Sequence, residues 1–171
     1  MKKNLIFFMV LMVGVCFMGI STATACDCYG TGTPGYWKNH PDAWPVNEVC
    51  LDGECFSKDE ALEIMNMPVM RDKSITMFKA YVAAYLNVMM NDGKGYCKVP
   101  KCDYYGYPTI YLSTAATWLE NNPVLSGVRA RDEAWQYSHG ELIYFCLDEF
   151  NNGGPDGSFS RDCGDGTYCR D

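Results

Sequence analysis

The chain has 171 residues, 10 of them cysteine, and sets 14 Lys and Arg against 21 Asp and Glu, a formal net charge of −7. That balance excludes a protein held to nucleic acid by general electrostatic attraction, which needs a basic face. The cysteine content argues against a cytosolic enzyme, because that compartment keeps thiols reduced.

The first residues read as an export signal. Met1-Lys2-Lys3 is a basic start, Leu5 to Ile20 is an apolar run of 16 residues, and Ala23-Thr24-Ala25 is a small-x-small cleavage site. The run is short for a bilayer span, and no later segment offers another. Residues 1–25 are thus expected to be a signal peptide, leaving 146 residues with a net charge of −9. That length suits one compact domain, here residues 26–153, followed by a Gly/Asp-rich tail over 154–171. The expected location is extracytoplasmic, either secreted or attached to the cell surface.

Cys16 leaves with the signal, so nine cysteines remain. An oxidising compartment makes them a disulfide framework. Cys50/Cys55, Cys97/Cys102 and Cys163/Cys169 are close enough to staple loops, and Cys28 with Cys146 would make a long-range tie. Eight cysteines can pair in roughly a hundred ways, so spacing alone does not decide between them. Cys26 is the odd one, and it stands at the cleavage point. It is a candidate for acylation, which would be the chain's only link to a membrane; the alternatives are a free thiol or an intermolecular bridge.

Cys26 to Gly35 is Gly/Thr-rich and reads as an extended lead-in. Ser57 and Glu60 form a capping box that opens a helix through Asn66, halted before Pro68. From about Ser74 to Asn91, apolar residues at 75, 78, 81, 82, 85, 86 and 89 mark one face of a longer helix. A Gly/Pro/Tyr-rich loop follows over 93–108. A third helix runs from Thr109 to about Asn121, with Leu112, Ala115, Ala116 and Leu119 inward. The last starts near Asp132, carries Trp135, Leu142, Phe145, Cys146 and Phe150, and ends at Asn151-Asn152-Gly153-Gly154. No run alternates with period two. The expected fold is all-α: a compact bundle of about four helices with long irregular loops, stapled by disulfides.

The most distinctive stretch is Thr33-Pro34-Gly35-Tyr36-Trp37-Lys38-Asn39-His40-Pro41-Asp42-Ala43-Trp44-Pro45. It resembles the secreted and cell-surface domains of bacteria and archaea that carry a TQGYWKNHPxxWP motif, with Pro34 where Gln is usual. The segments Lys79 to Asn87 and Leu147 to Gly153 are similar to later helices of that family. The resemblance implies an exported domain, often joined to adhesive or anchoring modules, with no established reaction and no catalytic residues.

Chemically, Trp37 and Trp44 with Lys38 and His40 could form an aromatic platform for sugar rings or a cation; the other reading makes both tryptophans core anchors. Tyr96, Tyr104, Tyr105 and Tyr107 share a stapled loop with three lysines, a second candidate contact surface. His139 lies at helical spacing from Trp135 and Leu142, which places it on or beside a buried face. No zinc, hydrolase or EF-hand motif occurs, and no metal or cofactor is expected, although Asp156, Asp162 and Asp165 leave calcium in the tail open. Asp148/Glu149 and Asp132/Glu133 are adjacent acids of the kind that usually face solvent. The resulting expectation is a non-enzymatic binding or adhesion module of the cell envelope, with a polysaccharide or a cell-surface protein as partner. A passive structural component and a small glycan hydrolase are the alternatives.

Overall fold

A computed structural model describes residues 31–91 and 108–152. Residues 1–25 with the expected export signal, the 154–171 tail, Cys26, Cys28, Cys97, Cys102, Cys163, Cys169 and the tyrosines at 96, 104, 105 and 107 lie outside these residues.

Helix α1 (Pro34–Asn39) begins where local chemistry dictates. Thr33 Oγ1 accepts the Tyr36 N–H at 3.1 Å, and Pro34 occupies the first turn, where a missing N–H costs nothing. A 3₁₀ turn at Pro41–Ala43 then reverses the chain. Trp44 comes back over α1, and its Nε1 donates to the Trp37 carbonyl at 2.9 Å.

Two short antiparallel strands follow, β1 (Glu48–Cys50) and β2 (Cys55–Ser57), with Val49 opposite Phe56 and Cys50 opposite Cys55. The expected all-α fold therefore needs a small correction: the chain is mostly helical with one two-stranded hairpin. Strands of three residues are too short for a period-two signal. The Cys50–Cys55 disulfide is formed, as the spacing suggested. Phe56 packs edge-on against Phe78, at 5.0 Å between ring centres, which fastens the hairpin to the core.

Helix α2 (Lys58–Asn66) has the expected reciprocal capping box. The Glu60 N–H bonds to Ser57 Oγ, and the Glu60 carboxylate accepts the Ser57 N–H at 2.8 Å. Helix α3 (Lys73–Asn91) is more central than a one-faced helix. Beyond Ile75, Phe78, Tyr81, Val82 and Leu86, it also buries Met77, Ala80, Ala83, Ala84 and Asn87. The extra buried face follows from its neighbours, since α1, α2, α4 and α6 all pack on it.

Helix α4 (Pro108–Asn121) buries Ala115, Ala116, Trp118 and Leu119. The final helix expected from Asp132 onward is two: α5 (Glu133–Gln136) and α6 (Gly140–Asn151). The break has a specific cause. Ser138 N–H bonds back to Glu133 O at 3.0 Å, the wide closure of a helix C-terminus, and His139 takes left-handed φ of 58°. The Ala134 carbonyl, released from the helix ladder, accepts Trp118 Nε1–H at 2.8 Å. Gly140 sits directly beneath that indole; a Cβ there would stand 2.7 Å from Trp118 Nε1. Cys146, buried on α6, is disulfide-bonded. Cys50 and Cys55 are joined to each other, so its partner lies outside the described residues.

Two loops meet at the start of α3. Asp72 is buried; its Oδ1 accepts Ser74 N–H at 2.9 Å and Ser74 Oγ–H at 2.7 Å, capping the helix. Its Oδ2 reaches across to the Gly127 N–H at 3.0 Å, while Lys73 N–H bonds to Val128 O at 2.7 Å. One carboxylate thus caps a helix and clasps the loop that follows α4. No helix among the described residues is long and apolar enough to cross a membrane.

Candidate functional site

The Thr33–Pro45 motif turns inward. Trp37 and Trp44 are 2% and 8% exposed, which corrects the aromatic-platform reading in favour of core anchors: neither ring is free to receive a ligand. The cause is a polar knot around Asn87, which is fully buried. Asn87 Oδ1 accepts the Gly32 N–H at 2.7 Å and Trp37 Nε1–H at 2.9 Å. Its Nδ2 donates to Gly32 O and to Asn151 Oδ1, each at 2.9 Å, and Asn151 Nδ2 donates to Ala80 O at 2.9 Å. The lead-in, α3 and α6 are thereby locked together through backbone and carboxamide groups. Gly32 is required there: a Cβ would stand 2.5 Å from Tyr36 Cδ1.

The motif's other two candidates stay at the surface. His40 is exposed, stacks on Tyr36 with ring centres 4.4 Å apart, and donates from Nδ1 to Tyr36 O at 2.9 Å. Lys38 is half-buried near Lys79, whose pKa is lowered by its own burial and then by the Lys38 charge. The two ammonium groups make a small cationic spot, but no groove described below includes them.

His139 is exposed at the α5–α6 break, so its expected place at the buried face is corrected. Its position follows from the left-handed turn that separates α5 from α6. Of the acid pairs, Asp132 accepts the Arg129 N–H at 2.7 Å and so closes a turn. Asp148 and Glu149 are half-buried on α6. Neither pair lines a described groove.

An open groove of about 630 Å³ runs beside the hairpin, lined by Glu48, Cys55, Ser57, Glu60 and Tyr85 among others. Glu48, Cys50 and Cys55 lie close enough together to resemble a metal site. The two sulfurs are bonded to each other, so no thiolate is available. The Glu60 carboxylate is committed to Ser57, bonds that hold its pKa below the usual value, the side-chain one most.

A second groove, of about 410 Å³, lies between α4 and the α5–α6 break. Ser113, Thr117, Asn121, Asn122 and Ser138 line it, with Trp118 and Ile143 beneath. No ionisable side chain contributes. Asn121 and Asn122 donate from Nδ2 to the carbonyls of Thr117 and Trp118, at 2.8 Å and 2.9 Å. Those bonds fix the carboxamides and leave each Oδ1 as an oriented acceptor. Aligned hydroxyls and carboxamides over a buried indole suit a neutral, hydroxyl-rich ligand.

These groove residues escaped the sequence reading. Ser113, Thr117 and Asn121 recur every fourth residue, the spacing of one helix face, which was a usable signal. Ser138, from the broken last helix, was not. No family model, curated protein or solved structure matches the chain.

Proposed function

We propose that this chain is an exported, disulfide-stapled helical module that binds an envelope polysaccharide through the groove along α4. The carrying observation is that groove's chemistry: hydroxyls and carboxamides with no charge, on a chain whose net charge is −7. A neutral glycan offers hydroxyls that both donate and accept, and it suffers no repulsion from an acidic surface. The basic start with its apolar run and the Cys50–Cys55 disulfide support export. In this reading Cys26 becomes the new N-terminus, and an acyl chain on it would give a first, by itself reversible, attachment to the membrane.

The test is a pull-down of disulfide-intact protein with purified envelope polysaccharides, run beside Thr117→Arg and Ser113→Ala/Asn121→Ala variants. Ser113, Thr117 and Asn121 are exposed, so these changes leave the fold near wild type, within about 0.5 kcal/mol. Saturable binding that both variants lose supports the proposal. Binding that both retain moves the site elsewhere, with the tyrosines at 96, 104, 105 and 107 next in line. A folded protein that binds no polysaccharide favours a passive structural component. One observation points that way: the motif's tryptophans serve the core rather than a surface.

A further inference from the structure

The clasp made by Asp72 brings together two of the four large apolar side chains left exposed among the described residues. Met70 and Leu125 sit on the two clasped loops and are 83% and 63% exposed. Both, with Arg71, hold positive φ, of 43°, 70° and 68° respectively. Left-handed backbone is costly for bulky side chains and persists only where the surroundings enforce it. Glycine would relax all three positions, yet the chain carries a thioether, a guanidinium and an isobutyl group there. The two apolar side chains on this left-handed backbone stand largely exposed.

The charge of the patch is also distinct. Arg71, Arg129 and Arg131 are the only arginines among the described residues, all are exposed, and all three lie on these loops or the turn beyond them. Across residues 67–75 and 123–133 these arginines and Lys73 outnumber Asp72, Asp132 and Glu133 by four to three, with Asp72 buried in the clasp and Asp132 accepting the Arg129 N–H. Between the apolar tips an open groove of about 300 Å³ is lined by Met67, Pro68 and Ile75 as well.

We infer that this face docks on an anionic lipid bilayer, with Met70 and Leu125 entering the acyl boundary and the three guanidiniums meeting headgroup phosphates. Charge complementarity selects the occupant: arginine forks match phosphate oxygens, and exposed cations at a bilayer surface each add to binding. Exposure agrees: Met70 projects beyond the groove with four-fifths of its surface uncovered, as a side chain entering an acyl layer must. The surface is separate from the α4 groove, shares no residue with it, and is independent of any acyl chain on Cys26. Beside such an acyl chain it would be a second membrane signal, which stable anchoring requires.

The test uses the exported, disulfide-intact protein carrying Cys26→Ser, its N-terminus checked by mass so that residues 5–20 contribute nothing. Vesicles of 70% phosphatidylcholine and 30% phosphatidylglycerol are compared with phosphatidylcholine alone by sedimentation. Binding is expected to the anionic vesicles and to fall as salt rises. Met70→Gly/Leu125→Gly should lower it by about tenfold, the order expected when two apolar side chains stay in water. Because glycine is at ease at both positions, that variant should keep the native thermal midpoint. Arg71→Gln/Arg129→Gln/Arg131→Gln should lower it by at least about tenfold and flatten its salt dependence. Absence of binding by the unmodified face, or equal binding by the glycine variant, overturns the inference. So does a dimer in solution that the same substitutions dissociate, which would assign the patch to a second copy.

Discussion

Asn87 shows how one side chain can tie a lead-in segment to two helices. Its two carboxamide atoms serve Gly32, Trp37 and Asn151, residues between 50 and 64 positions away. Replacing it with alanine leaves the Gly32 N–H, Trp37 Nε1–H and Asn151 Oδ1 buried without these partners. Each stranded group costs about 1–3 kcal/mol, so Asn87→Ala should lose about 3–5 kcal/mol, checked by urea denaturation. Asn87→Asp should also lose stability, because a carboxylate cannot donate to Gly32 O or Asn151 Oδ1. If Asn87→Ala unfolds at the wild-type urea midpoint, the knot is not what holds the lead-in. None of this was legible beforehand. An asparagine near a helix end reads as a polar residue, and its partners are remote in sequence. Ser57 and Glu60, by contrast, were legible because a capping box is complete within four residues.

At the scale of elements, what can be read depends on length. The 19 residues of α3 carry enough turns for periodicity to emerge, whereas the three-residue strands do not. The α5–α6 break was hidden for another reason: the Ala134 carbonyl it frees is taken by Trp118 from a different helix, and the apolar spacing across residues 132–150 is helical throughout. The clasp at Asp72 is likewise tertiary. Its carboxylate supports both the first turn of α3 and the loop at Gly127, so Asp72→Ala removes a helix cap and an inter-loop bond together. The expected cost is about 2–3 kcal/mol. Asp72→Asn should cost less, since its remaining oxygen can still take one of the two roles. Hydrogen exchange distinguishes this from a general loss. Amides at Ser74 and Gly127 should lose protection first, while those in the middle of α3 stay slow. Uniform loss of protection along α3 would mean the clasp is not a local device.

For the molecule as a whole, one of the bonds that join the hairpin to the helical core titrates. Tyr81 Oη–H donates to Cys50 O at 2.6 Å, linking α3 to β1. Burial pushes the Tyr81 pKa well above the ordinary tyrosine value, and the nearby Tyr85 and then Asp52 add to the rise. Tyr144 on α6 is raised too, by burial and then by Asp148. Unfolded tyrosine loses its proton near pH 10 (about 10 in model peptides). Above that pH the native state holds protons that the unfolded chain has released, so stability falls as pH rises. Below about pH 10 both states are protonated, and these groups impose no slope. Lys79 works in the opposite sense: its lowered pKa makes stability rise with pH just below the ordinary lysine value. It is half-buried and its charge is screened by water, so the tyrosines should dominate. The thermal midpoint is therefore expected to stay level or rise slightly through Lys79 as pH approaches about 10, and to drop beyond it as the tyrosines take over. Tyr81→Phe should begin lower, because the Cys50 bond is lost at a cost of about 1 kcal/mol. It should then fall less steeply between pH 10 and 11.5 (roughly the range in which unfolded tyrosine ionises). Parallel falls in the two proteins would show that some other group drives alkaline unfolding. A smaller fall in the variant would identify the Tyr81 hydroxyl as the group through which alkali separates the hairpin from α3.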